Sequence, residues 1–252
     1  MTSPNPPPAP CLDWCLFLDV DGTLIELTDT PSQTVADPEI KALLKELSLR
    51  LEGAVALVSG RQIATLDQLF APLLLPASGL HGIERRTAEG VVQGGTFVDS
   101  KLDHARAAIQ GFVEAHPGTL LEDKLRTVAI HFRLAPQAGV AARELAAGLL
   151  EQLGKQYQIQ PGDMMLEIKP RGFSKATAIR AFMHESPFSG RRPVFIGDDL
   201  TDQDGFPAVE AMGGLSIGVG DRVQGQYHLD TVGEVRSWLK SITALHNPRA
   251  AL

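Results

Sequence analysis

Short runs that are apolar at every position recur along the chain at Trp14–Leu18, Ala54–Val58 and Pro193–Ile196, and Gly214 to Gly220 adds a further short strand and turn. A run without alternation predicts a strand covered on both faces, as in a parallel sheet. Between the first two runs, Asp37-Pro38-Glu39 opens a helix. Asp is placed to cap, Pro suits the first turn, and Glu favours the positive end of the helix dipole. Ile40, Leu43, Leu44 and Leu47 then return at helical spacing. Ile63 to Phe70 predicts a second helix, and the region Leu74 to Leu80 a third strand. Near the end, a helix begins at Ser174 with Ile179, Phe182 and Met183 inward, and another spans Val232 to Thr243. Strand, helix and strand in alternation predict an α/β fold around a parallel sheet.

The middle of the chain has a different character. Thr87-Ala88-Glu89-Gly90 predicts a hairpin turn between Ile83–Arg86 and Val91–Val92. A helix fits Asp99 to His116, and paired strands fit Leu120–Lys124 and Thr127–Leu134. A second helix runs from Gln137 to Leu153, followed by strands at Tyr157–Gln160 and Met164–Ile168 around Pro161-Gly162-Asp163. Hairpins with two helices predict an α+β insert with an antiparallel sheet. The expected division is a disordered lead-in over 1–13, a parallel core over 14–82 and 169–252, and an inserted cap over 83–168. Thr28 to Pro38 reads as a loop, and the tail from His246 to Leu252 is expected to fray.

Composition narrows the function classes. A chain of 252 residues with 44% hydrophobic and 21% charged content is ordinary for a globular protein of one large or two modest domains. The net charge of -7 argues against non-specific binding to nucleic acid or anionic membrane. An anionic substrate would then need local cations or a metal. No apolar stretch approaches the ~20 residues of a membrane-spanning helix. The Pro-rich start lacks the basic and apolar regions of a signal peptide. Cys11 and Cys15 have no second pair, so a zinc site is not expected, and reduced thiols in a cytoplasmic protein are the expectation.

Polar residues at the predicted strand ends carry the chemistry. Asp19-Val20-Asp21-Gly22-Thr23-Leu24 follows the first strand directly. Ligands bind at that edge of open parallel sheets. Two carboxylates there oppose one another and resist burial unless a cation compensates them. Mg²⁺ would, since it takes one or two carboxylates plus waters and substrate phosphate; a solvated turn is the plainer alternative. Ser59-Gly60-Arg61 ends the second run. A hydroxyl followed by Gly suits a phosphate oxygen, because the backbone can come close; a cap for the helix at Ile63 explains Ser59 equally well. Lys175 falls in the first turn of its helix, against the dipole, which favours a functional role over a solvated one. Gly197-Asp198-Asp199-Leu200-Thr201-Asp202 ends the third run, and its carboxylates repel unless a cation lies among them. There is no GxxxxGK[ST] motif, which disfavours a P-loop nucleotide enzyme.

The order DxDGT, SGR, Lys and GDDxTD resembles the haloacid-dehalogenase-like (HAD) phosphatases, with a Rossmann-like core and an inserted cap. That resemblance implies Asp19 as the nucleophile forming an aspartyl-phosphate and Asp21 as the general acid/base. It implies Lys175 and Ser59 holding phosphoryl oxygens, with Gly60 and Arg61 in the same substrate-binding element. Mg²⁺ would be held by Asp19, Asp198 and the main-chain carbonyl of Asp21, with Asp199 or Asp202 reached through water. From Phe17 to Ala244 the chain further resembles the trehalose-6-phosphate phosphatase family. The pieces that carry this are Ser59-Gly60-Arg61, His81-Gly82-Ile83-Glu84, Glu167-Ile168-Lys169-Pro170-Arg171-Gly172 and the Gly197–Asp202 motif. Gln203 departs from the Glu usual after that motif.

Glu122 and Lys124, like Glu167 and Lys169, stand two residues apart and share a strand face if each segment is extended. The resemblance implies that such cap residues reach the sugar rings; taken singly, a solvated strand face is the better reading of each. His131, Arg133 and Arg171 have less support. Alternatives are a sucrose-phosphate or mannosyl-phosphoglycerate phosphatase of the same superfamily, a phosphomannomutase-like transferase, or a catalytically silent sugar-phosphate-binding domain. The presence of Asp19, Asp21, Lys175 and Asp198 favours activity.

Overall fold

The structure is a computed structural model that describes residues 5–28, 34–94 and 99–245. In chain order the elements are β1 (Trp14–Leu18), α1 (Pro38–Arg50), β2 (Val55–Val58), α2 (Ile63–Phe70), β3 (Ala77–Gly79), β4 (Glu84–Arg86) and β5 (Val92–Gln93). Next come α3 (Asp103–Ala115), β6 (Leu120–Asp123), β7 (Val128–His131), α4 (Gly139–Leu153), β8 (Tyr157–Gly162) and β9 (Met165–Pro170). The chain then continues with α5 (Lys175–Met183), β10 (Arg192–Gly197), α6 (Gly205–Ala211), β11 (Leu215–Val219), β12 (Tyr227–Leu229) and α7 (Val232–Thr243). It divides into a larger unit, up to Gln93 and from Ser174 onward, and a smaller one, Gly94–Phe173.

Among the described residues the larger unit holds one sheet in the order β12-β11-β10-β1-β2-β3-β4-β5. Its strands run parallel from β12 through β3 and antiparallel at β4 and β5. The apolar run of β1 is fully buried because helices cover both of its faces. Trp14 stacks on Trp238 of α7, whereas the alternate residues Cys15 and Phe17 meet Met183 and Phe182 of α5. After β3 the strand order reverses to the other side of β1, where β10 pairs with it. The switch point therefore lies between β1 and β10, the position where open α/β sheets bind ligands.

The smaller unit is a four-stranded antiparallel sheet, β6-β7-β9-β8, with its own core. Val128, Ile130, Leu166 and Ile168 are buried in that core with Ile109 of α3 and Ala146 and Leu149 of α4. Residues of alternate parity share the opposite face of the sheet.

Three expectations are corrected. The hairpin Glu84–Arg86/Val92–Gln93, expected within the 83–168 insert, extends the large sheet instead. Its first strand pairs with β3, Ala77 opposite Arg86 and Gly79 opposite Glu84. The division accordingly falls at Gln93/Gly94 and Phe173/Ser174 rather than at 82/83 and 168/169. At the second boundary, Lys169 and Pro170 stay with the smaller sheet because they pair with Gln158 and Tyr157. The lead-in expected to be disordered over 1–13 is docked over its described part. The amide of His228 donates to the Asn5 carbonyl (3.0 Å), and the Trp238 indole donates to that of Pro8 (3.3 Å). Its first four residues, the centre of the 28–38 loop at 29–33 and the tail from 246 lie outside the described residues.

Candidate active site

Five parallel strands deliver their following residues to one edge: Asp19 after β1, Ser59 after β2, Leu80 and His81 after β3, Asp198 after β10 and Arg222 on the loop leaving β11. The segment after β1 turns at once, with the amides of Leu24 and Ile25 donating to the Val20 carbonyl (2.9 and 3.0 Å). Gly22 makes this turn possible in two ways. Its φ is +81°, and a Cβ there would lie 2.1 Å from Asp198 Oδ2. The turn also brings the Thr23 hydroxyl to Asp198 Oδ1 (3.3 Å).

Asp19, Asp198 and Asp202 are buried, and one oxygen from each lies within 4.8 Å of the others. Lys175 is buried among them, donating to Asp19 Oδ1 (2.7 Å) and Asp202 Oδ1 (2.6 Å). Ser174 caps α5 by accepting from the Thr177 amide, and this start of the helix places Lys175 at its first position. Asp202 is reached by the tight turn Leu200–Asp202, and its second oxygen accepts the amides of Asp198 (3.2 Å) and Asp199 (3.0 Å). Gly197 leaves the room it needs, since a Cβ there would meet Asp202 Cγ at 2.3 Å.

Burial pushes the Asp19 carboxyl well above the ordinary range; Lys175 opposes this, while Asp202 and Asp198 add to it. Burial, then Asp202, raises Asp198 to about 6, against the pull of Arg222 and Lys175. Burial disfavours the Lys175 ammonium, but Asp19 and Asp202 outweigh it and hold its pKa above the ordinary lysine value. Three buried carboxylates against this one ammonium form an oxygen-rich, electron-rich set that suits a hard divalent cation.

Around this cluster, Asp21 accepts two bonds from Arg61, at Oδ2 from Nε and at Oδ1 from a terminal nitrogen (both 2.6 Å). The same guanidinium donates to Thr34 (2.7 Å). Ser59 is buried, and its hydroxyl accepts the Arg61 amide (3.1 Å). The alternative of Ser59 as a helix cap fails, because α2 begins after Gln62 and its Ile63 amide goes to the Glu84 carboxylate (2.9 Å). Gly60 is required by a close approach, as expected, but the group that approaches is the His81 ring; a Cβ would lie 2.6 Å from its Cε1 and Nε2. Leu80 and His81 both hold left-handed backbone, at φ 50° and 52°. Such strain persists only where surrounding bonds enforce it. Here the Leu80 amide donates to the Arg61 carbonyl (3.0 Å) and the His81 amide to the Ser59 carbonyl (3.1 Å).

In the smaller unit, Glu122, Lys124, His131, Glu167 and Thr127 form one group joined by hydrogen bonds and an ion pair. Lys124 donates to Glu167 (3.2 Å) and lies 3.6 Å from Glu122. Thr127 donates to Glu167 (2.6 Å), and His131 bonds Glu122 through Nε2 (2.8 Å). Glu167 and Lys169 are buried although both are charged types. Burial raises the Glu122 pKa, but His131 and Lys124 overcome it and leave it below the ordinary range. Burial likewise opposes the Lys124 ammonium, and Glu167 and Glu122 prevail. Arg133 instead pairs with Asp163 (2.9 Å), and Arg171 donates to the Tyr157 carbonyl (2.9 Å).

The model of the trehalose-phosphatase family matches residues 17–230. The chain belongs to this family. A curated relative, the trehalose-6-phosphate phosphatase of Escherichia coli, is 41% identical over 228 residues, spanning 90% of this chain and 85% of its own. Among solved structures, a trehalose-6-phosphate phosphatase related protein is 25% identical and superposes with a TM-score of 0.76 over 91% of this chain and 97% of that one. A HAD-superfamily phosphatase from Bacteroides thetaiotaomicron, 16% identical, shares the fold with a TM-score of 0.62 over 92% and 95% of the two chains.

For this member of the trehalose-phosphatase family, the residues singled out in sequence divide by where the fold puts them. Asp19, Lys175 and Asp198 converge, and Ser59, Gly60, Arg61 and Asp21 lie at the same sheet edge. Of Asp199 and Asp202, expected as alternatives reached through water, Asp202 lies within the three-carboxylate group and Asp199 outside it. Glu122, Lys124 and Glu167 are joined by side-chain contacts, and Lys169 shares their face two residues along β9. Arg222, His81 and Glu84 carried no assigned role in the sequence reading. Glu84 and His81 lie in a motif already quoted, so a signal existed for them; Arg222 had none.

Proposed function

We propose that the protein is a Mg²⁺-dependent phosphatase that hydrolyses trehalose 6-phosphate to trehalose and phosphate through an aspartyl-phosphate on Asp19. The observation that carries this reading is Lys175, buried between Asp19 and Asp202 beside Asp198, at the switch point of a sheet whose family is trehalose-phosphatase. Lys175 orients Asp19 and offsets its charge, so that a carboxylate oxygen is aimed at phosphorus. That oxygen forms a bond to phosphorus as the bond to the sugar oxygen breaks, and Asp21 gives the leaving alkoxide its proton. Asp21 then takes a proton from water, whose oxygen attacks phosphorus and releases Asp19 and inorganic phosphate. Arg61, bidentate on Asp21, fixes where that carboxyl sits. Ser59 and Lys175 hold phosphoryl oxygens. Asp19, Asp198 and the Asp21 carbonyl would hold Mg²⁺, with Asp202 or Asp199 outside them; the ion supplies positive charge for the phosphoryl oxygens.

Glu122, Lys124, Glu167 and Lys169 read the sugar. An uncharged disaccharide offers only hydroxyls, and fixed carboxylates and amines are the groups that discriminate them. The deciding experiment is phosphate release from trehalose 6-phosphate, sucrose 6-phosphate, glucose 6-phosphate and mannosyl-phosphoglycerate, with and without Mg²⁺. Asp19→Asn serves as the blank. Preference for trehalose 6-phosphate, lost in the blank and without Mg²⁺, is the expected result. Release from another ester alone replaces the substrate, and release by Asp19→Asn removes the nucleophile.

A further inference from the structure

Among the described residues two cations touch the acidic cluster, and they differ in kind. Lys175 is buried and bonded to two carboxylates, a permanent part of the packing. Arg222 comes from the loop leaving β11; its guanidinium sits against Asp198 Oδ2 and reaches within 3.9 Å of Asp199 Oδ1. Its side chain is 36% exposed, whereas that of Asp198 is 4% exposed. A partly solvated arginine keeps contact with water when it swings away, so it can give up a carboxylate once another cation takes over the buried charge. Asp198 cannot leave, since Thr23 bonds its Oδ1 and Gly22 is packed against its Oδ2. The oxygen that Arg222 covers therefore belongs to a carboxylate of the three-carboxylate group.

We propose that Arg222 is a resident counter-cation of this cluster: it neutralises Asp198 in the metal-free protein and competes with a divalent cation for it. This rests on the reading that Asp19 and Asp198 hold Mg²⁺. Two consequences follow from one charge. Without Arg222, Lys175 is left of these two cations to face three carboxylates, so the metal-free protein is less stable. An incoming divalent cation then meets no guanidinium on Asp198 and a more negative site, so it binds more tightly. Arg222 thus trades metal affinity for a cluster that tolerates the loss of its metal.

The test is calorimetric titration of Mg²⁺, and Mn²⁺ titration followed by electron paramagnetic resonance, on EDTA-stripped wild type, Arg222→Ala, Arg222→Gln and Arg222→Lys. Melting temperatures are measured with and without metal. Arg222→Ala and Arg222→Gln are expected to bind the cation on the order of tenfold more tightly, the size set by an exposed charge acting on a buried one. Both should melt lower without metal and gain more on adding it, and raising the salt should narrow the gap. Arg222→Lys, which keeps the charge, should stay near wild type in both respects. Equal or weaker cation binding by the two neutral variants overturns the proposal, because the guanidinium would then be idle or would help to hold Asp198. Wild type that binds no divalent cation overturns the metal reading itself, a failure visible without any variant.

Discussion

Lys175 illustrates what one buried residue does here. Its ammonium compensates Asp19 and Asp202, and removing it leaves two carboxylates in a site that already pushes Asp19 toward protonation. Lys175→Met is therefore expected to abolish turnover and also to destabilise the metal-free protein by about 3–5 kcal/mol, the usual penalty for breaking a buried pair. Urea denaturation in EDTA measures it, and a loss within about 0.5 kcal/mol, the range of a neutral surface change, would mean the cluster is solvated. The stabilisation has a defined pH window. Because the folded pKa lies above the ordinary lysine value, it is complete below that value and is lost only as pH rises through the folded one. Across neutral pH the difference between Lys175→Met and wild type should not drift on account of Lys175. The lysine's awkward place at a helix start was legible in the sequence. That it spans two carboxylates was not, because Asp202 lies 27 positions away and comes close only through β10.

At the scale of elements, the helices follow their local signals. Asp37 caps α1 as its sequence predicts, accepting the Ile40 amide at Oδ1 (2.9 Å). Its Oδ2 also accepts from Arg236 of α7 (2.7 Å), which ties the two helices together. The Ile40 amide and then Arg236 hold its pKa below the ordinary range, so its contribution is present above that range and is lost as pH falls through the lowered value. Asp37→Ala should cost about 1 kcal/mol near neutrality, seen as a lower denaturation midpoint. The gap from wild type should close in acid; a gap that persists at low pH would place the effect in packing rather than in the carboxylate. The strands were less legible. The hairpin at Glu84 and Val92 was read correctly as a hairpin, yet its place in the large sheet depends on β3 offering an open edge. No local pattern records which edge a strand will meet.

At the scale of the whole molecule, each of the two units packs around its own core and carries its own set of polar groups. The larger unit carries the acidic cluster, and the smaller carries a polar sheet face above its own apolar packing. If that face reads the sugar, Glu122→Ala should reduce kcat/KM for trehalose 6-phosphate by roughly 10- to 100-fold, the worth of one or two hydrogen bonds to a charged group. Its effect on a small aryl phosphate, which has no sugar to read, should stay within about twofold. Equal losses on both substrates would sink the assignment, and comparing rates on the two esters is enough to see it.

The alternation of strands and helices, the residues that follow each parallel strand, and the caps that start α1 and α5 could all be read from the order of residues. These rest on interactions between near neighbours and on burial of both sheet faces, which leave a periodic record in the chain. Four pairings emerge only in the folded chain: Asp202 rather than Asp199 joins the carboxylates, Arg61 clasps Asp21, Glu84 receives the start of α2, and Arg222 lies on Asp198. Those pairings join segments brought together by strand order, and charge attraction between distant positions imposes no spacing that a reader of one chain could detect.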